Sequence, residues 1–142
     1  MALSQFADKF YKTFIQDDRW KYLTNGLKNT LKITVFAVLL GMVLGFLIAI
    51  VRATHDKTGK LSILNFFAKV YLTVIRGTPV VVQLLIIYFV IFASVQVDKI
   101  FAAVLAFGLN SAAYVAEIVR SGIMAVDNGQ FEAGSALGLN YS

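Results

Sequence analysis

From Ile33 to Val51 the chain runs for nineteen residues without a charge, bracketed by Lys32 and Arg52. A helix rising 1.5 Å per residue over that length crosses a hydrocarbon core of about 30 Å. The composition agrees: 58% of residues are hydrophobic and 15% charged, and the mean hydropathy is +0.74. That is too apolar for an ordinary soluble domain. The sequence therefore predicts an all-α integral membrane protein.

A second apolar stretch, Leu61 to Ile75, is interrupted only by Asn65 and Lys69 and ends in Arg76, Gly77, Thr78 and Pro79. Pro79 disfavours helical geometry at Thr78 and removes a backbone donor, while Gly77 permits unusual dihedrals. A kink or broken turn is expected at Gly77 and Pro79. Val80 to Val97 is uncharged for eighteen residues and continues the second span, with Gln83 near its start. Gln96 to Lys99 leaves room only for a tight connection, so the second and third spans are expected to be antiparallel neighbours. Ile100 to Ala116 forms the third. The spans so read cover about 33–51, 63–95 and 100–118.

Residues 1–32 form a separate N-terminal amphipathic segment. It carries six Lys/Arg and three Asp, with Leu3, Phe6, Phe10 and Phe14 at spacings of three and four. That spacing puts an apolar stripe on one helix face. The stripe suits a helix lying in the membrane interface, with Trp20 and Tyr22 at the headgroup level, and it equally suits a soluble cap packed on the protein's own loops. Mixed charge ahead of the first apolar run, without a short basic start or a small-residue cleavage pattern, argues for retention of this region rather than for a signal peptide. Between the first two spans, Arg52 to Lys60 reads as a short polar loop.

Several functions are disfavoured. The chain has no cysteine, which removes disulfides and thiolate metal sites, and one histidine, His55, seldom holds a metal alone; no metal site is expected. Gly59-Lys60 is not a P-loop, because Thr54 and Leu61 stand where glycine and Ser/Thr are needed. The net charge of +5 is spread over the N-terminal region and one loop, which suits lipid headgroups better than nucleic acid. No nucleophile, base and orienting group can be assembled, so the chain is not read as an enzyme.

Polar residues inside spans carry more information, since burying them costs free energy. Arg76, beside the expected break, can attract a substrate carboxylate or snorkel to lipid phosphates. Gln83 lies seven residues on, nearly two helical turns. Asn110, Ser111, Tyr114 and Glu117 share one stripe of the third span and face either other helices or a wet cavity. With Thr78 they make up the candidate substrate pathway. Glu117 and Arg120 are spaced to pair on the helix surface. Gly41 and Gly45 form a GxxxG step that lets another helix approach, within the chain or from a second copy.

Beyond the third span, the chain turns at Asp127, Asn128 and Gly129 and starts a short Ala/Gly-rich helix at Glu132. The pattern of Gly129, Gln130, Glu132, Ala133 and Gly138 resembles the EAA loop of ABC importer permeases. Its flanks, AAYVAEIVRSGI before it and VIRGTPVVVQLLIIY from Val74 to Tyr88, resemble the polar amino-acid uptake permeases within that superfamily. Gly134 stands where the family has the second alanine, a change that loosens a helix by about 1 kcal/mol. Family members continue through roughly two more spans after this loop. The resemblance therefore covers nearly all of this sequence but part of the family fold.

The resemblance implies a good deal. Residues 33–142 would be a partial permease transmembrane domain of the methionine-importer-like fold, with the EAA-like loop at 127–142. Gly129, Gln130, Glu132, Ala133, Gly134 and Gly138 would belong to a cytoplasmic coupling helix seated in a separate ATP-binding subunit, which would hold the ATP and Mg. Further partners would be a second permease subunit, itself or a homologue, an extracytoplasmic amino-acid-binding protein and the lipid bilayer. The localisation would be the bacterial cytoplasmic (inner) membrane, multi-pass. Charge gives no orientation, since the two sides carry seven and six Lys/Arg; the family would put the N-terminus outside and the loop in the cytoplasm. Alternatives are a truncated, non-transporting membrane interaction protein and a channel built from oligomerised three-span units.

Overall fold

The computed structural model describes residues 2–139, with side chains from residue 5 onward, and every regular element among them is helical. Helix α1 covers Ala2–Phe10 and leads through a π-turn at Tyr11–Ile15 and a 3-10 turn at Gln16–Asp18 into α2, Trp20–Thr58. Then follow α3, Ser62–Gly77, and α4, Val80–Ile86, which runs on as a π-turn over Ile87–Ile91. Helix α5 is Lys99–Met124 and α6 is Asn128–Ala136. Two helices, α2 and α5, are long and apolar enough to cross a membrane; α3 and α4 make a third crossing only if taken together as one broken span, bent by 108°.

The α2–α5 pair is the frame of the molecule, and small residues create it. Ala37, Gly41, Gly45, Ala49 and Ala53 recur every fourth position of α2 and are all buried. Helix α5 likewise buries small residues, Ala102, Ala103, Ala106, Gly108, Ala112, Ala113 and Ala116. The approach is so close that a Cβ on Gly41 would stand 2.7 Å from Ser111 Cβ, and one on Gly45 2.8 Å from the Ala112 carbonyl oxygen. The GxxxG step thus packs within the chain. Lipid offers no hydrophobic drive for this, so the contact rests on dispersion over two smooth surfaces.

The order of contacts fixes the direction of the pair. Leu40 meets Gly108, Gly41 meets Ser111 and Gly45 meets Val115; further along, Arg52 bonds Glu117 and Asp56 bonds Arg120. Both helices advance together, so they are parallel. The Trp20 end of α2 and the α6 end of α5 therefore lie at opposite ends of the frame.

The polar stretch after the first span is not a loop. Helix α2 continues through it to Thr58, because Arg, Ala and Lys are good helix formers and a charge stops a span without stopping a helix. Gly59 ends it at φ +70, its amide bonding back to the His55 carbonyl. His55 accordingly sits on the last turn, its Nδ1 3.7 Å from Asp56 Oδ1.

Helix α3 packs on the frame through Leu72, which clusters with Ala113 and Ala116 and with Ile48, Tyr71 and Ile75 at its margin. The Tyr71 hydroxyl donates to the Leu109 carbonyl of α5. Helix α4 meets the start of α5, where Phe92 and Phe101 stack obliquely 6.2 Å apart. At the N-terminus, Phe6 and Phe10 stack and Phe14 is tilted against Phe10, making an exposed row of rings; the Leu3 side chain lies outside the described set. Asp17 and Asp18, both at positive φ, form the elbow between α1 and α2.

Candidate functional site

Near the α6 end of the frame, charged side chains from three helices converge on Glu117. Its Oε2 accepts from Arg52 Nη1 at 2.9 Å and its Oε1 from Arg120 Nη2 at 2.7 Å. Arg76 of α3 stands at 3.7 Å, a looser ion pair, and lays its guanidinium 5.7 Å from the Tyr114 ring centre. Arg120 is held on its other side by Asp56 Oδ2 at 2.9 Å. The Arg52 side chain is 14% exposed and the Glu117 side chain 26%. Charges this sheltered are tolerated because each has an opposite partner.

Three of the residues singled out in the sequence, Arg76, Tyr114 and Glu117, are thus in one cluster, and the expected Glu117–Arg120 pair forms. Arg52 and Asp56 were not expected there. They stand four apart on one helix face, as Glu117 and Arg120 stand three apart on another, and that matched spacing of opposite charges was the available signal.

Asn110, Ser111 and Tyr114 line a different feature. With Thr30, Ile33, Thr34, Ala37, Val38 and Phe107 they border an open groove of about 610 Å³ along the α2–α5 seam. Its walls are mostly apolar with a few hydroxyls and one amide, which suits either a helix or a small amphipathic molecule.

Gln83 and Thr78 belong to the helix break. The Gln83 side chain is buried, and its Nε2 donates to the Ile75 carbonyl at 2.7 Å, to Thr78 Oγ1 at 2.7 Å and to the Thr78 carbonyl at 3.1 Å. Pro79 and Thr78 have extended backbone, so the carbonyls at the end of α3 lose their helical donors, and Gln83 replaces them. Gly77, in the last position of α3, has open space around it.

The EAA-like residues Gly129, Gln130, Glu132, Ala133 and Gly134 lie on α6, none of whose residues is buried, and Gly138 lies just past its end. The helix begins at Asn128 rather than Glu132, since the Asp127 carboxylate accepts the Gly129 amide at 2.6 Å and caps it. Glu132 is consequently mid-helix and not at the positive end of the dipole. At the other end Gly138, φ +76, closes a Schellman motif in which the Leu139 amide bonds the Gly134 carbonyl and the Gly138 amide bonds that of Ser135. Gln130 donates its amide to the Asp127 carbonyl, and Gly129 and Ala133 complete the helix.

Residues 37–142 match the family described as binding-protein-dependent transport system inner membrane component. The chain belongs to that family. It is 44% identical over 120 residues to a putative glutamine transport system permease protein, GlnP, of Rickettsia prowazekii (strain Madrid E), covering 83% of this chain and 53% of the relative. It is 43% identical over 122 residues to the arginine transport system permease protein ArtQ of Bacillus subtilis (strain 168), covering 84% and 53%. Among solved structures, it superposes on a crystal structure of an amino acid ABC transporter with histidines at a TM-score of 0.69 and 38% identity, over 85% of this chain and 56% of that one. The chain therefore spans about half the length of the curated relatives it matches. The resemblance to ABC permeases drawn from the loop and its flanks is thereby established at the level of the family.

Proposed function

We propose that the chain is a permease subunit of an ATP-driven importer for polar amino acids, supplying part of the translocation pathway and coupling it to a separate ATPase subunit. The observation that carries this reading is α6. It is a short helix, capped at both ends, held outside the apolar frame at the end of a membrane-crossing helix. A helix that buries nothing of its own is built to be covered by something else, and its sequence is the EAA-like one.

In this reading residues 1–32 are an interfacial segment and 33–142 part of a methionine-importer-like transmembrane domain, with α3 and α4 as a single broken span. On this reading the chain crosses three times, with the N-terminus outside and α6 in the cytoplasm of the inner membrane. The partner ATPase binds ATP and Mg and hydrolyses the nucleotide; this chain does not. A second permease subunit completes the pathway and an extracytoplasmic binding protein delivers the amino acid. Gly129, Gln130, Glu132, Ala133, Gly134 and Gly138 seat α6 on the ATPase. Arg76, Thr78, Gln83, Asn110, Ser111, Tyr114 and Glu117 border the pathway, with Gly77 and Pro79 at its bend.

The test is amino-acid-stimulated ATPase activity in vesicles holding the protein, the ATPase subunit and the binding protein. Stimulation is expected, and Glu132→Lys or Gly138→Leu should abolish it while leaving membrane insertion intact. Association with the ATPase subunit but no stimulation in the parent protein would instead favour a non-transporting interaction protein.

A further inference from the structure

The last turn of α2 sends two consecutive side chains to two different elements. Asp56 accepts from Arg120 of α5 at 2.9 Å, and Lys57 holds its ammonium 5.3 Å from the centre of the Phe131 ring of α6. Neighbours on a helix point about 100° apart, so one turn can grip both sides of the α5–α6 corner. Asp56, Lys57, Met124, Val126, Asp127 and Phe131 border an open cleft of about 650 Å³ at that corner. No residue of α6 is fully buried, and Phe131, 38% exposed, is the ring it turns into this cleft. The turn at residues 125–127 joins α6 to α5, and the contacts made from α2 span that corner.

We propose that Asp56 and Lys57 are positioning residues that set the direction of α6 relative to the membrane frame, Asp56 by holding the end of α5 through Arg120 and Lys57 by holding α6 itself through Phe131. Both act from one helical turn, so displacing α6 pulls on α2 at its capped end, and α2 is the helix packed closely along α5 at Gly41 and Gly45. The functional consequence rests on the reading of α6 as the coupling helix; the placement itself does not.

The chain contains no cysteine, so spin labels can be introduced without background. Labels at Lys28→Cys and Ser135→Cys, on the far part of α2 and on α6, report the direction of α6; labels at Lys28→Cys and Ile118→Cys report the frame. The expected result is one narrow distance for each pair in the parent protein. In the D56N/K57M double variant the α6 pair should lose that narrow distance while the frame pair keeps it, and D56E/K57R should restore the parent pattern. An unchanged α6 distance in D56N/K57M overturns the proposal, as does a frame pair that broadens along with it, because the residues would then act on the bundle. A broadened α6 pair with undiminished amino-acid-stimulated ATPase activity supports the positioning role and refutes the coupling reading of α6.

Discussion

Arg52 and Glu117 are 65 positions apart in the chain and bonded at 2.9 Å, and that contact helps tie the C-terminal part of α2 to that of α5. Glu117 also anchors Arg120 and faces Arg76, so one carboxylate meets three guanidinium groups, of which, among the described residues, Arg120 alone has a second carboxylate, Asp56, on its other side. Replacing it with glutamine keeps the shape and removes the charge that balances them. The variant should lose about 2 kcal/mol of stability, the scale of a hydrogen bond to a charged group, and unfold several degrees lower in detergent. An unchanged Tm would show that lipid or water already satisfies the three arginines.

Glycine positions within α2 should respond in opposite directions to the same added methyl. Gly45→Ala drives a Cβ to 2.8 Å from the Ala112 carbonyl, where backbone cannot yield without parting the helices. Gly26, on the same helix, has nothing within 4 Å, and Gly26→Ala should stabilise by about 1 kcal/mol through helix propensity. Thermal unfolding of the two variants side by side checks this, and equal shifts would mean that the α2–α5 seam is looser than the geometry shows.

Much of this architecture was legible in the sequence because lipid imposes simple rules. The uncharged runs mark α2 and α5, and Gly41 with Gly45 marks the seam. Less legible was where helices end. Arg52 to Thr58 is polar, yet hydrogen bonding continues through it until Gly59 supplies the left-handed residue that stops it. At α6 the reverse happened: the turn-forming look of Asp127, Asn128 and Gly129 concealed an N-cap, since aspartate serves turns and caps with the same side-chain geometry.

Of the candidate site, pairs on one helix were readable and pairs across helices were not. Glu117 and Arg120 announce each other by spacing. Asp56 and Arg120 do so only once α2 and α5 are known to be parallel and in register. Gln83 would share a face with Arg76 only on an unbroken helix; with the expected break at Thr78 and Pro79 it turns to the exposed carbonyls instead.

That role of Gln83 has a measurable consequence. Gln83→Leu removes the donor that serves Ile75 and Thr78, leaving acceptors unpaired at about 1–3 kcal/mol each where water is excluded. The bend between α3 and α4 should become variable, and trypsin in detergent should cut after Arg76 faster than in the parent. Gln83→Glu should be worse than leucine, since it brings a charged acceptor to the same carbonyls. Equal cleavage rates in all three proteins would show that Pro79 alone fixes the bend.

The two caps of α6 should set how well that helix holds together. Asp127→Ala removes the acceptor for the Gly129 amide and should cost about 1 kcal/mol at the start of the helix. Gly138→Ala places a Cβ at φ +76 and should cost about as much at its end. For a nine-residue helix that buries nothing, either loss is a large share of what keeps it folded. Hydrogen exchange across 128–139 should therefore accelerate severalfold in each variant and further in the double variant, while α5 keeps its protection. Glu132→Ala, which touches neither cap and replaces one good helix former with another, should leave exchange as it is. Separating the two effects matters for function: if Asp127→Ala frays α6 and abolishes stimulated ATPase activity, but Glu132→Lys abolishes it with exchange unchanged, the helix must be both formed and correctly charged to seat on its partner.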